Sequence, residues 1–235
     1  MPADARSDTA YHGELGDHFA RWGGHHPTNA YIDRPAMLAL IGDVAGLDVL
    51  DVGCGPGFYS AAMVERGARV TGIDGSESLL RHAEKAVGER ATLLLHDLEQ
   101  PLPFADASFD LAVMALVYSH VYDRVQLLGE LRRVLRPGAR LLVSTTHPVG
   151  EQRWLGGSYY EGGRVDAPVG DYTINFERMT IEQFVNELLD GGFVLERLLE
   201  PRPVEALRGA VEPEKYQRII NSTHVLTVAM RRPGD

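Results

Sequence analysis

The chain has 235 residues, of which 44% are hydrophobic and 24% charged, and its formal net charge is −10. This acidity argues against tight binding to nucleic-acid phosphates or to an anionic membrane surface. No apolar run approaches the roughly 20 residues of a membrane-spanning helix, and residues 1–10 are too polar for a secretory signal. The single cysteine, Cys54, excludes an intrachain disulfide and a cysteine-rich metal site. We therefore expect a cytoplasmic protein with neither nucleic acid nor membrane as partner.

The first 34 residues are predicted to form a tail and a helical cap. Residues 1–10 are expected to be disordered, and the segment that follows is rich in aromatic and histidine side chains. Tyr11 and Tyr31 are candidates to close over a ligand, with simple packing as the equal alternative. No carboxylate or cysteine stands at ligand spacing beside the histidines, so no metal site is predicted.

From residue 35 to 235 short apolar strands alternate with amphipathic helices. The predicted strands are 49–53, 69–74, 92–95, 109–115, 140–144, 193–199 and 224–230. The predicted helices are 36–41, 58–66, 77–87, 125–135, 181–189 and 214–220. This alternation is typical of a doubly wound α/β fold, in which helices cover both faces of a parallel sheet. The last strand has no room for a crossover helix directly before it, so it is predicted to run antiparallel to the strand before it.

The stretch from about residue 150 to 178 breaks this alternation. It is rich in glycine and aromatic residues and has no clear periodicity. Long irregular stretches inside compact domains usually bind or cover ligands, so a lid-like insertion is expected here.

The first strand ends in a glycine-rich turn that opens the next helix. Gly53, Gly55 and Gly57 stand at alternate positions, whereas a dinucleotide fingerprint places its third glycine one residue later. Asp51 precedes the first glycine by two residues, and its charge disfavours a pyrophosphate and favours a ligand with a cationic end. Cys54 lies inside the turn, and we interpret it as a small structural residue in preference to a catalytic thiol.

The pattern Asp51-x-Gly53-x-Gly55-x-Gly57 resembles motif I of the class I S-adenosylmethionine-dependent methyltransferases. The resemblance covers about residues 35–231 and implies a Rossmann-like, seven-stranded sheet, mostly parallel with the last strand reversed. It also implies S-adenosyl-L-methionine as cofactor and S-adenosyl-L-homocysteine as product. Two alternatives stay open: a protein that binds this cofactor without methylating, and an NAD(P)-dependent oxidoreductase, against which the early third glycine and Asp51 count.

The resemblance implies roles for residues at the strand ends. Asp74 would accept hydrogen bonds from the ribose diol, and Asp97 would hold the adenine amino group beside the backbone N–H of Leu98. A helix-capping role for Asp74 and a turn role for Asp97 are the alternatives. The cofactor contacts expected in the glycine turn, at the strand ends and in the cap are Asp51, Gly53, Gly55, Gly57, Asp74, Gly75, Ser76, Asp97, Leu98, Ala115, Tyr11 and Tyr31.

The methyl acceptor is expected to be a small molecule bound to a monomer or homodimer. Where amino-methylating nucleic-acid enzymes of this family carry an Asn-Pro-Pro-Tyr-like tetrad, residues 115–118 read Ala-Leu-Val-Tyr. A hydroxyl acceptor would need a base. His147, after the fifth strand, is the first candidate and His120, after the fourth, is the second. A structural role for His147 is an equal alternative.

Overall fold

A computed structural model describes residues 11–234, so the expectation of disorder for residues 1–10 lies outside the described part. The α-helices are α1 (Gly13–Trp22), α2 (Arg34–Ile41), α3 (Phe58–Glu65), α4 (Glu77–Val87), α5 (Arg124–Val134), α6 (Pro148–Leu155), α7 (Ile181–Asp190) and α8 (Pro213–Ile220). The strands are β1 (Asp48–Val52), β2 (Arg69–Asp74), β3 (Ala91–Leu95), β4 (Phe109–Ala115), β5 (Leu135–Thr146), β6 (Gly163–Val169), β7 (Tyr172–Arg178), β8 (Val194–Leu199) and β9 (Val225–Arg231). Within this range no helix combines the length and the apolar character needed to cross a membrane.

The main sheet has seven strands in the order β3-β2-β1-β4-β5-β9-β8. The β1, β2, β3, β4 and β5 strands pair in parallel, whereas β9 runs antiparallel to both β5 and β8. This confirms the predicted Rossmann-like sheet with its last strand reversed. The order changes direction between β1 and β4, and in open α/β sheets ligands bind at such a point beyond the carboxyl ends of the strands.

Alternate residues of the central strands supply two hydrophobic cores. On one face, Leu50 and Val52 join the core beneath α5 and α7; on the other, Val49 joins the core beneath α2 and α3. All three side chains are fully buried. Burying a side chain of this size contributes about 1.5–3 kcal/mol, so both faces hold the strand ends in place.

The strands and helices predicted from the alternation lie within two residues of their observed bounds, with one exception. β5 begins at Leu135 rather than Arg140, and its pairing with β4 shifts register between Phe109 and Leu111.

The cap is continuous with the first helix of the main domain. A π-helical turn over Asn29–Asp33 runs directly into α2, so the expected boundary near residue 34 falls within one helical segment. Pro35 has no N–H to offer the carbonyl four residues earlier, that of Tyr31, which accepts instead from the N–H of Val204 at 2.9 Å.

The insertion is ordered secondary structure, so the prediction of an irregular stretch was wrong. Helix α6 is followed by a β6–β7 hairpin in which Val165 faces Phe176 and Val169 faces Tyr172. The glycines that obscured the pattern lie at its corners. Gly156 follows α6 and Gly170 forms the hairpin turn, both with positive φ.

Candidate cofactor and substrate cavity

One large cavity opens at the carboxyl ends of β1, β2, β4 and β5. Its volume is about 790 Å³, within the range of roughly 300–1,000 Å³ found for small-molecule sites. The glycine turn and the strand ends form its floor. The cap, helix α6 and the β6–β7 hairpin form its roof, and the wall is mainly apolar.

The glycine turn exposes backbone to this cavity. Gly53 and Gly55 line the wall with φ of +66° and +54°. A Cβ on Gly53 would come within 2.5 Å of a Val117 methyl, whereas one on Gly55 would meet nothing within 4 Å. Gly57 lies outside the wall, and a Cβ there would press on Ala83 of α4 at 3.0 Å. The first two glycines therefore shape the floor, and the third allows α4 to pack beneath it.

Asp74 lines the cavity at the end of β2 and organises the floor. Its Oδ2 accepts from the Gly55 N–H and its Oδ1 from the Ser76 N–H, both at 2.8 Å. Burial raises the pKa of this carboxyl. Each oxygen keeps a second lone pair for a ligand, because a carboxylate has about four acceptor positions. Gly75 also lines the cavity.

Ser76 contacts the cap and does not line the cavity. Its Oγ accepts from the Leu79 N–H at 3.3 Å as the N-cap of α4 and donates to the Tyr11 carbonyl at 2.7 Å. Tyr11 itself lines the cavity, where burial raises its pKa to about 12.

Asp51 lies beneath the glycine turn and is not part of the cavity wall. Strand alternation directs it toward α3, where its Oδ2 accepts from the Ser60 hydroxyl at 2.5 Å. Burial raises the pKa of this carboxyl to about 7. The structure thus gives Asp51 a supporting position beneath the turn, not the ligand-facing one expected from the sequence.

Of the other residues expected to contact the cofactor, some line the cavity and some lie outside it. Ala115 and Leu98 line the cavity. Asp97 is exposed and accepts from the Glu99 N–H at 3.0 Å in a turn outside the wall, so its adenine role stays a prediction. Tyr31 packs on the cluster of Leu207 and Ile219 instead of the cavity, because the π-helical turn directs it there.

Two charged residues of the wall were missed by the sequence analysis. Asp33 is buried, with Tyr59 donating to Oδ2 at 2.5 Å and Oδ1 without a partner among the described residues. Burial raises the pKa of its carboxyl. Arg34 stacks over the Phe58 ring at 4.3 Å, and its buried Nε likewise has no partner within residues 11–234. Both residues border the cavity, where neighbouring groups of opposite charge suit the ammonium and carboxylate of an amino acid.

Leu116 carries backbone strain at the cavity wall. Its φ is +59°, a left-handed value that branched side chains rarely adopt, and its N–H donates to the Ser144 carbonyl at 2.9 Å. Such strain costs on the order of 1–3 kcal/mol and concentrates at ligand sites. No residue pattern in the sequence marks this position.

The two candidate bases differ in how their ring nitrogens are used. His147 borders the cavity, but Nδ1 accepts from the Val149 N–H at 3.2 Å as the N-cap of α6, and Nε2 lies 2.8 Å from Glu200 Oε1. Neither nitrogen is free to take a proton from an acceptor. This geometry corrects the preference for His147 and gives it the structural role that was its alternative.

His120 retains a free nitrogen in the cavity wall. Its Nδ1 lies 3.3 Å from the Asn175 carbonyl, which can only accept, so Nδ1 carries the hydrogen. Nε2 is then an acceptor, and it has no hydrogen-bond partner among residues 11–234. Burial lowers the pKa of this imidazole to about 4, so it is neutral near pH 7.

No metal site accompanies these groups in the described range. Residues 11–234 contain no group of three or more histidine, cysteine, aspartate or glutamate side chains arranged to hold a metal ion.

Residues 50–143 match the family model described as a methyltransferase domain. The chain is 34% identical over 142 residues to a malonyl-[acyl-carrier protein] O-methyltransferase of Serratia marcescens, covering 59% of this chain and 55% of the relative. It is 36% identical over 116 residues to a demethylmenaquinone methyltransferase of Tropheryma whipplei strain Twist, covering 49% and 48%. The chain thus spans about half the length of these curated relatives.

Solved structures extend the similarity over most of the chain. An S-adenosylmethionine-dependent methyltransferase from Mesorhizobium loti superposes with a TM-score of 0.68 and 28% identity, covering 84% of this chain and 96% of that one. The seven-stranded order, the glycine turn at its switch point and these similarities agree. Residues 50–143 therefore match a methyltransferase domain, and the chain shares the fold of an S-adenosylmethionine-dependent methyltransferase, which supports S-adenosyl-L-methionine as the cofactor.

Proposed function

We propose that this protein transfers the methyl group of S-adenosyl-L-methionine to a small-molecule acceptor held in the same cavity. The observation that carries the proposal is the continuity of the cavity. The charged Asp33–Arg34 pair, the glycine turn and Asp74 border it, and so do the aromatic side chains of the roof. A cofactor and an acceptor can therefore meet in one enclosed space.

Different residues of the cavity bind the different polar groups of the cofactor. Arg34 pairs with the carboxylate of its amino-acid end and Asp33 with the ammonium, since both residues border the cavity. Asp74 accepts from the ribose hydroxyls through its remaining lone pairs. Gly53, Gly55, Gly75, Leu98 and Ala115 bring backbone and small or apolar surface against the nucleoside, and Tyr11 closes the roof over it.

The bound cofactor supplies a methyl group on a sulfonium, which is transferred by in-line displacement. The chain contributes position and exclusion of water. His120 accepts a hydrogen bond from the acceptor through Nε2 and orients it, while its low pKa keeps cationic charge away from the sulfonium.

The named relatives act on chemically different acceptors, a malonyl group on a carrier protein and demethylmenaquinone. They support methyl transfer without selecting the acceptor. A structure of the [4+2]-cyclase SpnF shares the fold at 19% identity with a TM-score of 0.61, so the fold alone does not fix methylation. The monomeric or homodimeric state, the cytoplasmic location and the lack of a nucleic-acid partner stay predictions from the sequence.

Calorimetric titration with S-adenosylmethionine, S-adenosylhomocysteine and NADH tests the cofactor assignment. We expect the two adenosyl ligands to bind and NADH not to bind. Asp74→Ala should weaken adenosyl binding tenfold or more, because it removes hydrogen bonds to a charged group worth about 1.5–3 kcal/mol. Asp74→Asn keeps the shape if the alanine variant does not fold, and Asp190→Ala, at the exposed end of α7 outside the cavity wall, is the control.

Product analysis separates methylation from other uses of the cofactor. Release of S-adenosylhomocysteine with an acceptor panel supports the proposal, whereas methylthioadenosine as the only product contradicts it. Binding of NADH alone would reassign the glycine turn to a dinucleotide.

A further inference from the structure

A third buried carboxyl lines the cavity, after Asp33 and Asp74, and serves none of the cofactor roles. Glu151, on α6, is only 5% exposed. Its Oε1 accepts from the Thr146 hydroxyl. Its Oε2 accepts from no described residue, and it is not among the fully buried unpaired side-chain atoms, so it keeps access to the cavity. A ligand in the cavity that carries a hydrogen-bond donor can therefore pair with Oε2.

The surroundings suit Glu151 to accept a proton near neutral pH. Burial raises its pKa to about 7, and the Thr146 hydrogen bond and the charge of Arg178, from β7, oppose this only in part. Glu151 forms no ion pair with any described residue, and the neighbouring His147 is paired with Glu200. A base works best when its pKa lies near the working pH.

The cavity beside Glu151 is walled by aromatic rings. Trp154, one turn further along α6, lies nearly parallel to Phe176 of the hairpin, with an angle of 7° and centroids 6.5 Å apart. Phe176 meets His120 at 6.3 Å, and His120 meets Tyr11 at 5.8 Å, both edge-on. These four side chains, which we call the aromatic wall, all line the cavity. Ring faces and edges of this kind pack favourably against a planar ring.

We propose that the acceptor is a planar aromatic molecule with a hydroxyl group, that it lies against the aromatic wall, and that Glu151 Oε2 takes the hydroxyl proton. This deepens the proposed function and rests on it. The O–H bond breaks and its proton passes to Glu151 as the acceptor oxygen forms a bond to the methyl carbon. The S–CH₃ bond breaks and its electron pair returns to sulfur. The products are an aryl methyl ether, S-adenosylhomocysteine and a protonated Glu151, which returns its proton to solvent.

His120 and Glu151 have separate tasks in this scheme. His120 orients the acceptor through Nε2, but its pKa of about 4 makes it a weak final proton acceptor. Loss of Glu151 should therefore change the pH dependence of methylation, whereas loss of His120 should lower the rate without moving that dependence.

Two probes that differ by one methyl group test the proposal. 6-Hydroxyquinoline carries a transferable proton, and 6-methoxyquinoline is the same ring system after methylation. We titrate each into wild-type protein loaded with S-adenosylhomocysteine, at pH 6 and pH 8, by calorimetry. At pH 8 the hydroxyl probe should bind about tenfold or more tightly than the methoxy probe, since only it can donate to an ionised carboxylate.

The matched variants are Glu151→Gln, which keeps the shape and the contact to Thr146, and Glu161→Gln at an exposed position of the same insertion. Glu151→Gln should abolish the preference for the hydroxyl probe, and Glu161→Gln should retain it. In single turnovers with S-adenosylmethionine, wild-type protein should form 6-methoxyquinoline at a rate that rises through about pH 7. Glu151→Gln should lose that rise and on the order of a hundredfold in rate.

Each possible negative result contradicts a different part of the proposal. An unchanged probe preference and pH profile in Glu151→Gln would overturn the role of Glu151. Failure of both probes to bind a protein that binds S-adenosylhomocysteine would overturn the aromatic acceptor. Failure to bind S-adenosylhomocysteine at all would instead overturn the proposed function.

Discussion

The floor and the roof of the cavity are built in different ways. The floor consists of the glycine turn and the ends of β1, β2 and β4, which neighbour one another in the sheet and are held by strand pairing and by the hydrogen bond from Gly55 to Asp74. The roof is assembled from the cap and from the α6–hairpin insertion, which are far apart in sequence and meet through side chains such as His18 and Tyr172. We therefore expect the floor and the cap to set cofactor binding and the α6–hairpin insertion to select the acceptor.

The largest effect is expected when one methyl group is added to the floor of the cavity at Gly53. Gly53→Ala puts a Cβ 2.5 Å from Val117 at a φ of +66°, which combines backbone strain with a clash. We expect loss of adenosyl binding and a fall of about 2–5 kcal/mol in the free energy of unfolding. Urea unfolding and calorimetry measure both.

Gly55→Ala is the matched control for that variant, because it carries similar strain but no neighbour within 4 Å. Equal losses in the free energy of unfolding would mean that backbone strain alone destabilises Gly53→Ala and that the contact with Val117 does not.

The buried Asp51 should make the protein less stable as pH rises from about 4 to 7. Its pKa is raised from an ordinary 3.8 to about 7, so its contribution to stability is present below pH 4 and lost as pH rises through 7. Asp51→Asn should remove this loss, amounting to about 2–4 kcal/mol between pH 5 and pH 8. Urea unfolding of both proteins at the two pH values tests it; parallel pH profiles would contradict it.

Arg34, in the cap, should strengthen the binding of an adenosyl ligand that has an amino-acid end and not of one that lacks it. Arg34→Ala should weaken S-adenosylhomocysteine binding about tenfold to a hundredfold, because a charged hydrogen bond to the carboxylate is lost. Methylthioadenosine lacks the amino-acid end, so its affinity should not change. Equal weakening of both ligands would show that Arg34 acts through the fold of the cap and not through the carboxylate.

The smallest effect is expected at His147, at the base of the roof. His147→Ala removes the N-cap of α6 and should lower stability by about 0.5–2 kcal/mol, as measured by thermal unfolding. His147→Asn can cap in its place and should restore most of that loss. The pH profile of methyl transfer should be the same in both variants; a shift would return His147 to the role of base.

The sequence by itself determined the floor. Hydrophobic alternation placed the seven strands and the reversed last strand, and the glycine spacing with Asp74 marked a ligand turn, since both signals are local in the chain. The roof depended on tertiary structure. Glycines concealed the α6–hairpin insertion, and neither the Asp33–Arg34 pair nor Glu151 carries a local mark of burial, because burial is a property of what packs around a residue. The same reason explains the difference between His147 and His120. Both residues follow strands, and only the tertiary structure determines which ring nitrogen has no hydrogen-bond partner among the described residues.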